Sequence, residues 1–171
     1  MKRLVLFAGL VVTLTACAKQ EEVKSFEEVK APTQKTSETV NEKQGLWETD
    51  YDVALKRAKA EGKYVLVDFS GSDWCGWCMK LDREVFQRAA FKSFAEKNLV
   101  LLLVDFPQNK SGMSEDQQAQ NQWLAQKFNV RGFPTIFILD PTGNPIEKTG
   151  YRPGGAEEYV KYLKTVISKT P

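Results

Sequence analysis

The sequence predicts an α/β domain with a central mixed β-sheet flanked by helices. Three observations carry this. The runs Val65-Leu66-Val67 and Leu99-Val100-Leu101-Leu102-Leu103-Val104 are apolar throughout, the composition of strands covered on both faces. Helical segments precede and separate them, as crossovers between parallel strands do. A third run, Thr135 to Leu139, leads into Asp140-Pro141-Thr142-Gly143, a turn composition that sends the chain back antiparallel.

Taken in order, the first helix is expected over Tyr51 to Ala60, with Val53, Ala54, Leu55 and Ala58 inward and Gly62 just past its end. The strand Tyr64 to Phe69 follows. A helix is then expected from about Cys75 to Phe86, and a second helical piece from Ala89 to Glu96. After the strand Leu99 to Val104, Pro107 to Ser114 is polar and loop-like. Ser114 with Glu115 and Asp116 starts a helix, a capping hydroxyl ahead of acids in the first turn. Trp123, Leu124 and Phe128 are its expected apolar face. Ile146 to Tyr151 returns as the hairpin strand. Ala156 to Ser168 closes the domain as a helix with Tyr159, Val160, Leu163 and Ile167 on one side. The predicted order is α-β-α-β-α-β-β-α.

The first 45 residues read differently. Lys2 and Arg3 precede an apolar run from Leu4 to Leu14, which ends in Leu14-Thr15-Ala16-Cys17. A basic start, a short apolar stretch and small residues at a cut site describe an export signal. The run is too short for a spanning helix of about 20 residues. Leu-Thr-Ala-Cys resembles a bacterial lipobox, which implies cleavage before Cys17, lipidation of its thiol, and tethering to a membrane by acyl chains. Residues 18–45 are rich in Lys, Glu, Gln, Ser and Thr, a spacer composition. The expected organisation is a leader over 1–16, a lipidation site and disordered linker over 17–45, and a folded domain over 46–171.

Composition excludes several functions. Loss of Lys2 and Arg3 with the leader leaves 22 basic and 22 acidic side chains, and no basic run carries interleaved aromatics, so nothing supports nucleic-acid binding. The chain has no histidine, which rules out Ser-His and Cys-His nucleophilic catalysis and removes the commonest metal ligand. Met79 follows Cys78 where a haem-attachment motif needs His. No metal site and no cofactor are expected.

The chemistry concentrates in Trp74-Cys75-Gly76-Trp77-Cys78, placed where a strand gives way to a helix. Two cysteines at that spacing close a small disulfide ring and reopen it. The helix N-terminus stabilises the thiolate of the first. A structural staple is the other use of the pair, but closing so short a loop restrains little of the unfolded chain. Redox exchange is the favoured reading, and Cys17 is the only other cysteine.

Two blocks then resemble the thioredoxin-like family: Val67-Asp68-Phe69 leading to the Cys75–Cys78 pair, and Val130-Arg131-Gly132-Phe133-Pro134-Thr135 before a strand. The resemblance covers about residues 46–170. It implies that Pro134 is cis and lies against the two cysteines, and that Phe133 presents its backbone to an extended substrate. Cys75 is then the attacking thiolate and Cys78 the resolving thiol, more buried, which closes the Cys75–Cys78 disulfide and releases substrate. Trp74, Gly76, Trp77 and Thr135 complete the substrate face; Trp74 either shields the sulfurs or serves packing alone. Asp68 matches the family's buried acid, which moves the proton of the resolving cysteine. A solvated carboxylate at a strand end is the competing reading for it.

The chain departs from thioredoxin in several places. It has one more residue between Asp68 and Cys75, Leu101 is expected where thioredoxin has the lysine that partners the acid, and the segment 107–128 is longer. Strongly oxidising relatives carry His between their cysteines; here Gly76-Trp77 stands there, so the thiolate is less stabilised and the disulfide less oxidising. That favours a reductase, although exported compartments mostly oxidise. Ser72-Asp73-Trp74-Cys75-Gly76-Trp77-Cys78 resembles periplasmic Dsb-type reductases. The resulting expectation is a lipid-anchored reductase of envelope protein disulfides on the periplasmic side. Its electrons would come from a membrane thiol transporter, and Ala18 slightly favours the outer membrane. The alternatives are an oxidase or isomerase with the same site, or a copper chaperone using Cys75 and Cys78 with Met79 or Met113.

Overall fold

The structure, a computed structural model, describes residues 46–169. The expected leader, the lipidation site Cys17 and the linker to residue 45 lie outside the described residues. The elements run β1 (Trp47–Glu48), α1 (Tyr51–Glu61), β2 (Tyr64–Ser70), α2 (Gly76–Leu81), a π-helical turn (Asp82–Phe86) and α3 (Ala89–Asn98). They continue with β3 (Leu99–Asp105), α4 (Glu115–Lys127), β4 (Thr135–Leu139), β5 (Pro145–Thr149) and α5 (Gly155–Ser168).

The strands form one sheet in the order β1-β3-β2-β4-β5. β1, β3 and β2 are parallel, β4 runs antiparallel to β2, and β5 antiparallel to β4. This is the mixed sheet the sequence predicts, plus an edge strand. β1 pairs only Trp47 and Glu48 with Leu101 and Leu102, too short a piece to show a period.

Strand alternation distributes β2 between two cores. Val65, Val67 and Phe69 join Val100, Leu102, Val104, Phe137 and Leu139 under α1 and α4. Leu66 joins Leu101, Ile136 and Ile138 under the π-turn, α3 and α5. Each fully buried Leu or Ile here contributes about 2 kcal/mol. By the same alternation Asp68 faces the second layer, the one that carries Cys78. It sits opposite Leu103 on β3 and Ile136 on β4. The residue beside Asp68 on β3 is therefore Leu103, not the expected Leu101, which pairs with Leu66.

Side chains cap the helices as their sequences suggest. Val53 N donates to Asp50 Oδ1 at 2.9 Å, and Gly62 closes α1 at φ 64°. Gln117 N donates to Ser114 Oγ at 3.2 Å at the start of α4. Three helices differ from expectation. In α1 the inward positions are Tyr51, Ala54 and Ala58, spaced three and four apart on one face, and Val53 is exposed instead of inward. The helix after the cysteines does not run unbroken to Phe86: it widens after Leu81, where Gln87 N donates to Asp82 O at 2.9 Å. In α4, Leu124 is buried but Trp123 is exposed, lying edge-on to Tyr51 with Lys127 Nζ 4.8 Å from its ring. The inward position goes to Asn121, whose Nδ2 donates to Asp105 O at 2.9 Å and satisfies a backbone carbonyl at the end of β3.

Candidate active site

Parallel β2 and antiparallel β4 lie side by side, so the chain leaving β2 at Ser70 passes the chain entering β4 at Thr135. That brings the cysteine loop to the Phe133-Pro134 loop. The Phe133–Pro134 peptide is cis. Phe133 packs edge-on against Trp74, with ring centroids 5.7 Å apart, and Thr135 Oγ1 donates to Gly132 O at 2.7 Å. Gly150 passes so close to Pro134 that a Cβ there would stand 3.0 Å from the Pro134 carbonyl oxygen.

Cys75 is the N-cap of α2, and Cys78 N donates to Cys75 Sγ at 3.2 Å. The sulfur therefore meets the free N–H groups of the helix start, which lower the energy of a thiolate there. Cys75 and Cys78 form a disulfide with a Cα–Cα distance of 5.2 Å. Both residues are buried, with relative exposures of 6% and 4%, so they differ less in burial than in what they face. Cys78 looks inward onto a cavity of about 500 Å³ that Asp68, Ser70, Asp82, Leu103 and Gln87 also line.

The loop before Cys75 is fixed by short polar contacts. Cys75 N donates to Gly71 O at 2.8 Å. Ser72 donates through both its N–H and its hydroxyl to the Asp105 carboxylate. Asp73 accepts from Gln108 N at 2.9 Å and Asn109 N at 3.0 Å, bonds that hold its carboxyl below the usual carboxylate range. Thus the loop before Cys75 and the loop after Pro107 brace each other. Trp74 Nε1 donates to Phe106 O at 2.7 Å, and its indole lies over Gly71, where a Cβ would collide with the ring. Trp77 is exposed and stacks on Tyr151 with centroids 5.1 Å apart, while Lys80 Nζ sits 5.2 Å from its ring. Gly76 has open space around it. Trp74, Trp77, Phe133 and Tyr151 thus form aromatic walls around the disulfide loop.

Among the described residues, Asp68 carries the one buried side-chain oxygen without a hydrogen-bond partner. Asp68 is 6% exposed, and Oδ1 is that oxygen. Burial, then the negative charges of Asp105 and Asp82, push its carboxyl up to about 8. It holds a proton at neutral pH. The solvated alternative for Asp68 does not describe this environment. The sequence reading also passed over Asp82 and Tyr151. For Asp82 a signal existed: four residues after Cys78 is the same face of a helix. Tyr151 reaches Trp77 only through the hairpin and had none. Among the described residues no three Cys, Asp or Glu side chains converge as metal ligands do.

A family model for the thioredoxin-like domain matches residues 51–167. Disulfide bond reductase DsbH of Chlamydia pneumoniae is 38% identical over 121 residues, which span 71% of this chain and 72% of that protein. Thioredoxin-related protein DsbJ of the same organism is 30% identical over 119 residues, which are 70% of this chain but only 34% of that longer protein. The solved structure of a DsbH oxidoreductase superposes with a TM-score of 0.68 at 36% identity, over 72% of this chain and 84% of the other. A thioredoxin from Thermus thermophilus superposes at 0.55 with 24% identity, a likeness of fold.

Proposed function

This chain belongs to the thioredoxin-like family of thiol–disulfide oxidoreductases, and we propose that it works as an exported, lipid-anchored reductase of protein disulfides. The observation that carries the mechanism is buried Asp68, its Oδ1 without a hydrogen-bond partner, on the cavity it shares with Cys78. In the reductive half-reaction the Cys75 thiolate attacks a substrate disulfide and expels one substrate thiolate. Cys78, deprotonated by ionised Asp68, attacks Cys75 Sγ. The bond from Cys75 to substrate breaks, its electron pair leaves on the second substrate sulfur, and the Cys75–Cys78 disulfide closes. In the return half-reaction a donor thiolate opens that disulfide, and the protonated Asp68 supplies the proton to departing Cys78.

Trp74, Gly76, Trp77, Phe133, Pro134 and Thr135 form the substrate face in this reading. The aromatic walls accept apolar side chains beside a substrate cysteine, and the backbone before Pro134 is available to an extended segment. Reduction as the working direction is supported by the missing histidine between the cysteines and by the 38% identical relative, a disulfide bond reductase. Export and anchoring rest on the leader pattern over 1–16 and on Cys17, with 17–45 as the tether and 46–171 as the domain. The substrates are then disulfide-bearing proteins on the periplasmic side of the envelope, and the electron source is a membrane thiol transporter. The measurement that tests the direction is the reduction potential against glutathione and dithiothreitol. A value below about −230 mV supports a reductase, and one above about −180 mV assigns oxidation or isomerisation instead.

A further inference from the structure

The aromatic wall on the Trp77 side of the disulfide carries a cation that the mechanism above does not use. Trp77 stands between the two cysteines, is 57% exposed, and stacks on Tyr151 with centroids 5.1 Å apart. Tyr151 follows Gly150, the residue that passes against the Pro134 carbonyl, so this wall borders the backbone assigned to substrate. The Tyr151 phenol donates to Glu84 Oε2 at 2.7 Å, which pins the ring to the π-turn. Lys80 lies one helical turn after Trp77 on α2. Its Nζ sits 5.2 Å from the Trp77 ring and 5.1 Å from the Tyr151 ring. The ammonium therefore stands beside both rings at once, at the rim of the wall.

Helix stability does not account for that position. Among the described residues the carboxylate in ion-pair range of Lys80 is Glu84, with Oε1 3.9 Å from Nζ. That is beyond hydrogen-bond distance, and lysine ahead of glutamate is the weaker order of such a pair on a helix. Glu84 gives its other oxygen to Tyr151. The Lys80 side chain is 38% exposed, and an ammonium has three N–H donors to offer an incoming acceptor. Lys127, also set against several rings, differs: its Nζ donates to the Tyr51 hydroxyl at 3.1 Å. Other charges near the aromatic walls have closer partners. Asp73 accepts from Gln108 N and Asn109 N, Arg131 Nε donates to Asn129 Oδ1 at 3.3 Å, and Arg152 lies over the Tyr162 ring at 4.0 Å.

We propose that Lys80 is a specificity-determining residue: from the rim of the Trp77–Tyr151 wall it selects protein disulfides in which an aspartate or glutamate lies beside the cysteine that Cys75 attacks. Such a side chain lays its methylene groups on the two rings and brings its carboxylate to Nζ. A substrate lysine there meets like charge. Lys80 forms no covalent bond and moves no proton; the Cys75 thiolate still bonds one substrate sulfur and expels the other as a thiolate. The inference rests on the reductase reading and names a substrate class for it.

The test uses the reduced full-length protein and symmetrical disulfides of short capped peptides that carry Glu, Gln or Lys directly before or directly after the cysteine. The rate of peptide reduction is divided by the rate of the same peptide with dithiothreitol, which removes intrinsic differences in disulfide reactivity. At low salt the Glu peptide should be reduced about two- to fivefold faster than the Gln peptide at one of the two positions, the scale of an exposed ion pair, and the Lys peptide more slowly. The Glu-to-Gln ratio should shrink in 0.5 M salt, fall towards one in Lys80→Met and persist in Lys80→Arg. It should rise in Glu84→Gln, which keeps an acceptor for Tyr151 and removes the charge that competes for Lys80. A ratio of one in wild type overturns the proposal. So does a ratio that survives in Lys80→Met, whether or not all three peptides slow together. If Lys80→Met unfolds early, Glu84→Gln must raise the ratio or the proposal fails. Failure of wild type to reduce any of the peptides removes the reductase reading and Lys80 with it, whereas equal reduction of all three removes Lys80 alone.

Discussion

Replacing Asp68 with Asn tests the electrostatics of the site through stability, independently of any substrate. The carboxyl titrates near 3.8 when unfolded and at about 8 when folded. Between those values the native state holds a proton that the unfolded chain has released, so stability falls as pH rises. Below 3.8 both states are protonated and the penalty vanishes; above about 8 both have ionised and it no longer grows. Each pH unit inside the window costs about 1.4 kcal/mol, which accumulates to about 1.6 kcal/mol at pH 5 and about 4 kcal/mol at pH 7. Asn fills the same space and does not titrate. Its own cost as a poorly bonded buried amide is the same at every pH, so it cancels when two pH values are compared. The stability of Asp68→Asn relative to wild type should therefore rise by about 2–3 kcal/mol between pH 5 and pH 7. Urea unfolding of both oxidised proteins at the two pH values reads the change directly. A gap that is constant over this range refutes the buried, protonated Asp68, and with it the acid assigned to the proton step.

Other perturbations address other parts of the site. Cys75→Ser should abolish disulfide reduction, while Cys78→Ser should trap substrates as mixed disulfides visible on non-reducing gels; full activity in Cys75→Ser would sink the mechanism. Gly71→Ala drives a methyl group into the Trp74 indole and should cost about 1–3 kcal/mol in thermal unfolding while quenching reduction of protein substrates more than of small disulfides. Asp140 has the opposite pH signature to Asp68. Burial works against its ionisation, yet hydrogen bonds from Thr142 and Asn144 outweigh it and hold the carboxyl at about 2. Its contribution, about 1–2 kcal/mol after solvent screening, is present above pH 4 and is lost as pH falls towards 2, so Asp140→Ala should flatten the acid limb of the stability curve.

What the sequence disclosed and what it withheld divide along a physical line. The runs at Val65 to Val67, Leu99 to Val104 and Thr135 to Leu139 were legible because a strand covered on both faces must be apolar at every position. The cysteine pair and Phe133-Pro134-Thr135 were legible because their chemistry resides in the backbone and sulfur atoms of a few adjacent residues. Trp47–Glu48 was not legible, since two residues show no period and their strand exists only because β3 offers a free edge. Nor was the π-turn, since a single widened turn leaves the apolar positions of a helix in place. Trp123 was misplaced because hydrophobicity alone cannot tell an inward ring from one lying on Tyr51 under Lys127. Asp68 is the instructive case. The resemblance singled it out, yet whether its surroundings were wet depended on Cys78, Asp82 and Leu103 arriving from three other elements. Its proton is a property of the cavity and not of the strand. A thioredoxin-like scaffold can therefore keep one motif and still tune its reaction, by changing which charges the surrounding elements bring to that cavity. Here Asp82 lines the cavity with Asp68, Asp105 adds its charge from outside it, and no cation lines it.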